Sequence, residues 1–232
     1  MSDNSNSPSG RRSFLSRLGF VAAGASVAAA VSGAASAQTA PKRFEPPRHE
    51  EDAWLDQFPG VHRAYIDAFT GLGGVTAMNY ANNILGTHAD VYGGTDADYA
   101  MILCFRGQAT PLAWSDAIWA KYGAAFADYV NFPDPRTQQH FTVNPLQMPD
   151  RADLPSRGNT LAMIAGRGVH YAVCNRATRS ISTMVARATG GNAEEIYQEL
   201  VASIFAGSRM VPAGVVATTR AQEYGYSVLV AA

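Results

Sequence analysis

Cysteine is almost absent from this chain. Two, Cys104 and Cys174, occur among 232 residues. That excludes the disulfide framework of a small secreted scaffold, and each thiol has to be accounted for singly. Charge is sparse as well. Charged residues make up 16% and the formal net charge is −1, so no basic surface for nucleic acid or for an anionic membrane is implied. No apolar run reaches the about 20 strongly apolar residues of a stable membrane span. The H-E-x-x-H pair, the G-x-S-x-G elbow and the P-loop are also missing. What is plentiful is apolar, 47% of the residues, the composition of a globular domain with a real core.

Residues 1–37 read as an export signal. A polar start is followed by Arg11-Arg12, then by a weakly hydrophobic stretch at 19–31, then by the small-residue cleavage site Ala35-Ser36-Ala37. These are the three parts of a secretory signal, and the paired arginines with modest hydrophobicity select its twin-arginine version. The expectation is a partnership with the twin-arginine translocase during export, a periplasmic location, and no membrane association after cleavage. That leaves 195 of the 232 residues. They divide into a flexible lead-in at 38–52, carrying Pro41, Pro46 and Pro47, and a single domain at 53–232. Trp54, Leu55 and Phe58 are placed to fasten the start of that domain.

Along the domain, strand patterns alternate with helix patterns. Residues 61–67 alternate apolar and polar, the period-2 mark of a strand. The glycines at 71–74 read as a break, followed by a helix with Ala77, Tyr80, Ala81, Ile84 and Leu85 on one face. Residues 90–98 read as a turn. The continuous apolar run 99–105 fits a strand buried on both faces. A helix is expected over 113–122. Residues 131–155 hold Pro133, Pro135, Pro145, Pro149 and Pro155, a loop of unusual length, read as a functional excursion or an interface arm inserted in the domain. Further helices are expected at 160–166, 177–188, 192–205 and 214–224, and strands at 169–175, 209–212 and 226–230. Asn192 with Glu195 makes a capping-box-like start. The alternation predicts βαβ crossovers and a mostly parallel sheet covered on both faces.

In such sheets ligands bind beyond the carboxyl ends of the strands. Three strand ends stand out: Cys104-Phe105-Arg106-Gly107, Cys174-Asn175-Arg176 and Val211-Pro212-Ala213-Gly214. Cys174 has a strand behind it and a helix start ahead. Free N–H groups at that start, with Arg176 and Arg179 nearby, stabilise an anion there, which a nucleophilic cysteine needs. The competing reading is a small buried apolar residue, and for Cys104, inside an apolar run, that reading is the stronger one. A Cys104–Cys174 disulfide stays open, because the Cβ vectors must converge. His88, Asp90, Asp96 and Asp98 are hard-cation ligand types, but their spacing matches no calcium loop; a solvated turn is expected, and no metal. Gly71, Gly73 and Gly74 follow a strand as a phosphate cradle would, without the full G-x-G-x-x-G pattern. His62 and His170 fall on sheet faces rather than at a rim.

The stretch Gly168-Val169-His170-Tyr171-Ala172-Val173-Cys174-Asn175, with Ala177 after it, resembles the DsrE-like family, in which a Gly-Val-x-apolar-x-Val-Cys strand leads into a helix. Val211-Pro212-Ala213-Gly214-Val215, then Ala221-Gln222-Glu223-Tyr224-Gly225-Tyr226-Ser227, is similar to that family's Val-Pro-x-Gly-Val element and the helix after it. The likeness covers the last third of the chain well, and residues 99–122 more loosely. It implies a flavodoxin-like three-layer α/β sandwich, a homo-oligomer (trimer or hexamer), and sulfur carried as a persulfide on Cys174, with no other cofactor. This chain departs from the family's sulfur-relay branch in its export signal and in the insertion at 131–155.

Two functions follow as expectations. One is an exported sulfur carrier or thiol-active protein using Cys174, with Arg106, Asn175, Arg176, Pro212 and Gly214 around a small-molecule or sulfane-sulfur ligand. The other is a non-catalytic, oligomeric small-ligand-binding protein of the periplasm. A flavin or nucleotide binder follows only from fold analogy.

Overall fold

A computed structural model describes residues 45–232. The export-signal reading at 1–37 and the first part of the lead-in lie outside the described residues. Five strands, β1 (His62–Ala68), β2 (Tyr99–Phe105), β3 (Val169–Cys174), β4 (Arg209–Val211) and β5 (Ser227–Ala231), form one sheet in the order β4-β3-β2-β1-β5. Every pairing is parallel. Among the described residues six α-helices cover it: α1 (Gly71–Tyr92), α2 (Asp116–Val130), α3 (Leu161–Gly166), α4 (Asn175–Thr189), α5 (Ala193–Ala202) and α6 (Gly214–Glu223). The architecture is a flavodoxin-like three-layer α/β sandwich. None of these helices is long and apolar enough to cross a membrane.

The two faces of the sheet are covered unequally. On the first, Ile66, Leu103, Phe105, Tyr171 and Val173 pack against α1, α2 and α4 through Val75, Met78, Phe126, Ile181 and Val185. On the second, Tyr65, Ile102, Cys104, Ala172 and Val211 meet Ala217 and Ala221 of α6, with Trp54 and Leu55 from a 3-10 segment at Glu50–Asp56. Strand β2 is buried on both faces, which is why its sequence is an unbroken apolar run. Steps from β1 through β4 all move toward one edge, with their helices on the first face. The chain then returns through α6, on the second face, to pair β5 with β1 at the other edge. Reversing direction while changing faces keeps both kinds of crossover right-handed.

Several local expectations are corrected. The glycines at 71–74 do not break the chain; they are the first turn of α1, capped by Thr70, whose Oγ1 accepts from Gly73 N at 2.8 Å. Glycine is needed because a Cβ at 71 would sit 2.2 Å from the Val130 carbonyl oxygen, and one at 73 would sit 2.3 Å from that of Ala231. Helix α1 runs on to Tyr92 and stops at Gly93, whose φ of 68° is left-handed. Residues 107–113, with Pro111, wind as a 3-10 segment, so α2 starts at Asp116 and continues to Val130. Helix α5 ends at Ala202, short of 205.

The proline-rich segment contains neither strand nor α-helix, yet it is packed rather than free. Phe141, Leu146 and Leu154 join the core of the first face. The Asn144 amide donates to the carbonyls of Leu112 and Trp114, both at 2.7 Å. Arg151, only 5% exposed, is held between Asp134 and Asp153.

Candidate functional site at the β3–β4 switch point

Helix α4 leaves β3 toward the first face, and α6 leaves β4 toward the second. Adjacent strands whose connections part in this way leave a crevice between their carboxyl ends. Cys174 occupies it. As the last residue of β3 and the N-cap of α4, its Sγ accepts the N–H of Ala177 at 3.5 Å. The same Sγ accepts the N–H of Gly214, the first residue of α6, at 3.2 Å. Two helix N-termini therefore converge on one sulfur atom, each bringing an otherwise unsatisfied donor and the positive end of a macrodipole. Thr178 fixes the corner by donating to the Cys174 carbonyl at 3.0 Å. Cys174 is buried, at 6% exposure, so its surroundings are drier than a surface thiol's.

Arg106 follows β2 one step beyond the Phe105–Val173 pair, which sets it level with Cys174 on the neighbouring strand. Its Nε and Nη2 donate to the two carboxylate oxygens of Asp67 at 2.6 and 2.8 Å. Asp67 is 3% exposed. The guanidinium also stands over the Phe69 ring, 4.8 Å from its centroid. Asp67 holds the Arg106 pKa above its ordinary value, and the fields of the Cys104 and Cys174 sulfur atoms raise it further. The stem of Arg106 packs on Gly214, where an added Cβ would fall 2.5 Å from Arg106 Cβ. Gly214 thus touches Arg106 and donates to Cys174 at once.

Of the residues singled out in the sequence, Cys174, Arg106 and Gly214 come together. Pro212 is exposed and lines a neighbouring cavity of about 290 Å³, whose walls also include Trp54, Val211, Val216 and Arg220. Asn175 begins α4, but its Oδ1 accepts from Tyr197 on α5 at 2.8 Å. Arg176 is exposed and has no ion-pair partner among the described residues, whereas Arg179 is paired with Glu194 and lies over the Tyr197 ring.

Cys104 is fully buried opposite Ala172, two residues before Cys174 on the adjacent strand. Both thiols are free. Burial above all pushes the Cys104 thiol up to about 12. Two residues that the sequence did not single out belong to the neighbourhood. Asp67 is one. Tyr129, half-buried near the end of α2, is the other; burial raises its phenol, and the field of Cys174 adds to the rise. Away from the rim, Asp96 is paired with Arg167, and Asp98 accepts from Thr95 N and meets His88. No group of three or more potential ligand side chains stands together among the described residues. His170 stacks on Phe58 with ring centroids 3.6 Å apart.

Backbone donors from two helix N-termini thus meet one sulfur atom in a dry crevice, and a guanidinium is held level with it on the neighbouring strand. Compared with protein-family models, with curated proteins and with solved structures, the chain matches none.

Proposed function

We propose that this is a DsrE-like, thiol-active protein in which Cys174 accepts sulfane sulfur and holds it as a persulfide. The observation that carries the reading is the double donation to Sγ from Ala177 and Gly214. A cysteine placed only to fill space does not need two helix N-termini aimed at its sulfur. In the proposed step the Cys174 thiolate attacks the outer sulfur of a donor. A sulfur–sulfur bond forms on the protein, the donor's own sulfur–sulfur bond breaks, and the remainder leaves with the electron pair, as sulfite when the donor is thiosulfate. No oxidant is needed. The persulfide anion left behind meets the same backbone donors.

The test is intact-mass spectrometry of the folded protein after exposure to polysulfide or thiosulfate. The expected result is one added sulfur atom per chain, absent from Cys174→Ser. Equal loading of both proteins would overturn the proposal. The setting we infer is the periplasm, reached through the twin-arginine signal at 1–37, with the chain acting as a homo-oligomer. Leu229 and Val230, exposed on edge strand β5, support the oligomeric part.

A second reading has one observation in its favour. The cavity beside Pro212 is lined by the apolar Trp54, Val211, Val216 and Ala217 together with the polar His49, Glu51, Asp52 and Arg220, the composition of a small-ligand pocket. A non-catalytic ligand carrier predicts a small molecule that copurifies with the protein and a Cys174 inert to alkylation.

A further inference from the structure

Asp67 is a buried carboxylate with a single side-chain partner among the described residues, Arg106. Strand β1 presents it on the same sheet face as Cys104 of β2. From there its two oxygens grip the Nε–Nη2 edge of a guanidinium that belongs to the next strand. This bidentate pairing fixes the plane of the guanidinium as well as its place. Phe69 covers one side of that plane and Gly214 limits the stem. The remaining nitrogen, Nη1, has no hydrogen-bond partner among the described residues, and the arginine side chain keeps 23% of its surface exposed. Nothing obliges a buried acid to stand here, since an apolar residue would have completed strand β1 without a desolvated charge. What the acid provides is an arginine with one edge occupied and the other unpaired, on the strand next to Cys174 and level with it in register.

We propose that Asp67 is a positioning residue for Arg106, and that the outward Nη1 edge of Arg106 selects small anionic reactants for Cys174. The oxyanion of the reactant, a sulfonate or carboxylate, rests on Nη1 while its electrophilic atom meets Sγ. The inference rests on the reading of Cys174 as the reactive thiol, and it narrows that reading to a substrate class: sulfane-sulfur donors that carry a negative oxygen group next to the transferred sulfur. Thiosulfate has that form. Its outer sulfur bonds to Cys174, its sulfonate leaves as sulfite with the electron pair, and atoms and charge balance without an oxidant. The burial of Cys174 limits the class to small molecules.

The probe pair is iodoacetate and iodoacetamide, which are alike in size and differ in charge. Each forms a carbon–sulfur bond on Cys174 and releases iodide. Second-order rates are measured on the full chain at one pH, with Cys174→Ser as the background for Cys104. The expected ratio of iodoacetate to iodoacetamide rates is well above that of free cysteine in the same buffer. It falls about tenfold in Arg106→Gln, the size of one charge-assisted contact, and is partly kept in Arg106→Lys. Asp67→Asn is the discriminating variant. If Asp67 only neutralised the arginine, removing its charge would raise the ratio; if it positions the arginine, the ratio falls. A wild-type ratio equal to that of free cysteine, or a ratio unmoved in both Arg106 variants, overturns the inference and leaves the thiol reading standing. Failure of both reagents to label Cys174 overturns the two together. Should Arg106→Gln not fold, the wild-type ratio in high salt decides, because added salt screens an arginine-based preference and leaves a steric one unchanged.

Discussion

Gly214 occupies the tightest place in the crevice, with Arg106 on one side and the Cys174 sulfur on the other. A methyl group there has nowhere to go, because the atom it meets is the Arg106 Cβ and not the loose end of a side chain. Gly214→Ala is expected to cost about 1–3 kcal/mol, as overpacking does, and to slow alkylation of Cys174; urea denaturation and labelling kinetics check the two effects separately. The cysteines themselves give a second expectation. Cys104 is fully buried and its thiol is pushed up to about 12, so at neutral pH it is neither accessible nor ionised. Thiol titration of the native protein should count at most one group and the unfolded protein two. Two reactive thiols in the native state would contradict the placement of Cys104. Cys174, Arg106 and Gly214 were legible in the sequence because each ends a strand or begins the helix after it, where topology alone directs attention. Asp67 was not. Within 61–67 it is one polar residue of an alternating strand, and its meaning appears only when the sheet register brings it to an arginine 39 positions further on.

Among the elements, α1 and the proline-rich segment depart most from what their sequences suggest. Glycines at 71–74 look like a break because glycine disfavours helix interiors. Here they sit in a first turn that must pass within contact of two carbonyl oxygens, Val130's and Ala231's, and that crowding comes from residues distant in sequence. The segment at 131–155 was legible as a long insertion but not as a packed one, since its anchors are a charge cluster and three scattered apolar residues with no period. In that cluster Arg151 holds Asp153 down to about 2, with Arg136 assisting, and holds Asp134 below its ordinary range. Carboxylates with depressed values contribute stability above the unfolded carboxylate range, near pH 4. That contribution is lost as pH falls toward 2. The segment should therefore loosen before the rest of the domain on acidification, seen as hydrogen exchange rising first at 131–155. Replacing Arg151 by Met should abolish the difference by loosening the segment at neutral pH, with a melting temperature lower by several degrees. Unchanged exchange in that variant would mean that the apolar anchors suffice.

For the whole molecule, alternating strands and helices foretold a parallel sheet, and the sheet is parallel throughout. The strand order was not legible, because periodicity says where strands are and not on which edge the last one lands. Yet that last step makes the site: α6 crosses to the second face only because β5 pairs with β1, and this parting of α4 and α6 opens the crevice at Cys174. The second face has a thinner cover, α6 and the segment around Trp54, and His170 is part of its seal through its stack on Phe58. Burial lowers the His170 pKa below its ordinary value near 6.5. The unfolded chain then binds the proton more readily than the folded one, so stability is full above about pH 6.5 and falls as pH drops from there toward the folded value. Melting temperature should decline over that window, and His170→Phe should flatten the decline. An identical decline in the variant would place its source elsewhere.

In the proposed function Cys174 alone takes up sulfane sulfur. This is tested most directly by site-resolved mass spectrometry of the folded protein after brief exposure to thiosulfate and quenching with an alkylating reagent. The expected result is an added sulfur atom on the peptide containing Cys174 and none on the peptide containing Cys104. Sulfur on Cys104, or an unmodified Cys174 in a protein that remains folded, would contradict it.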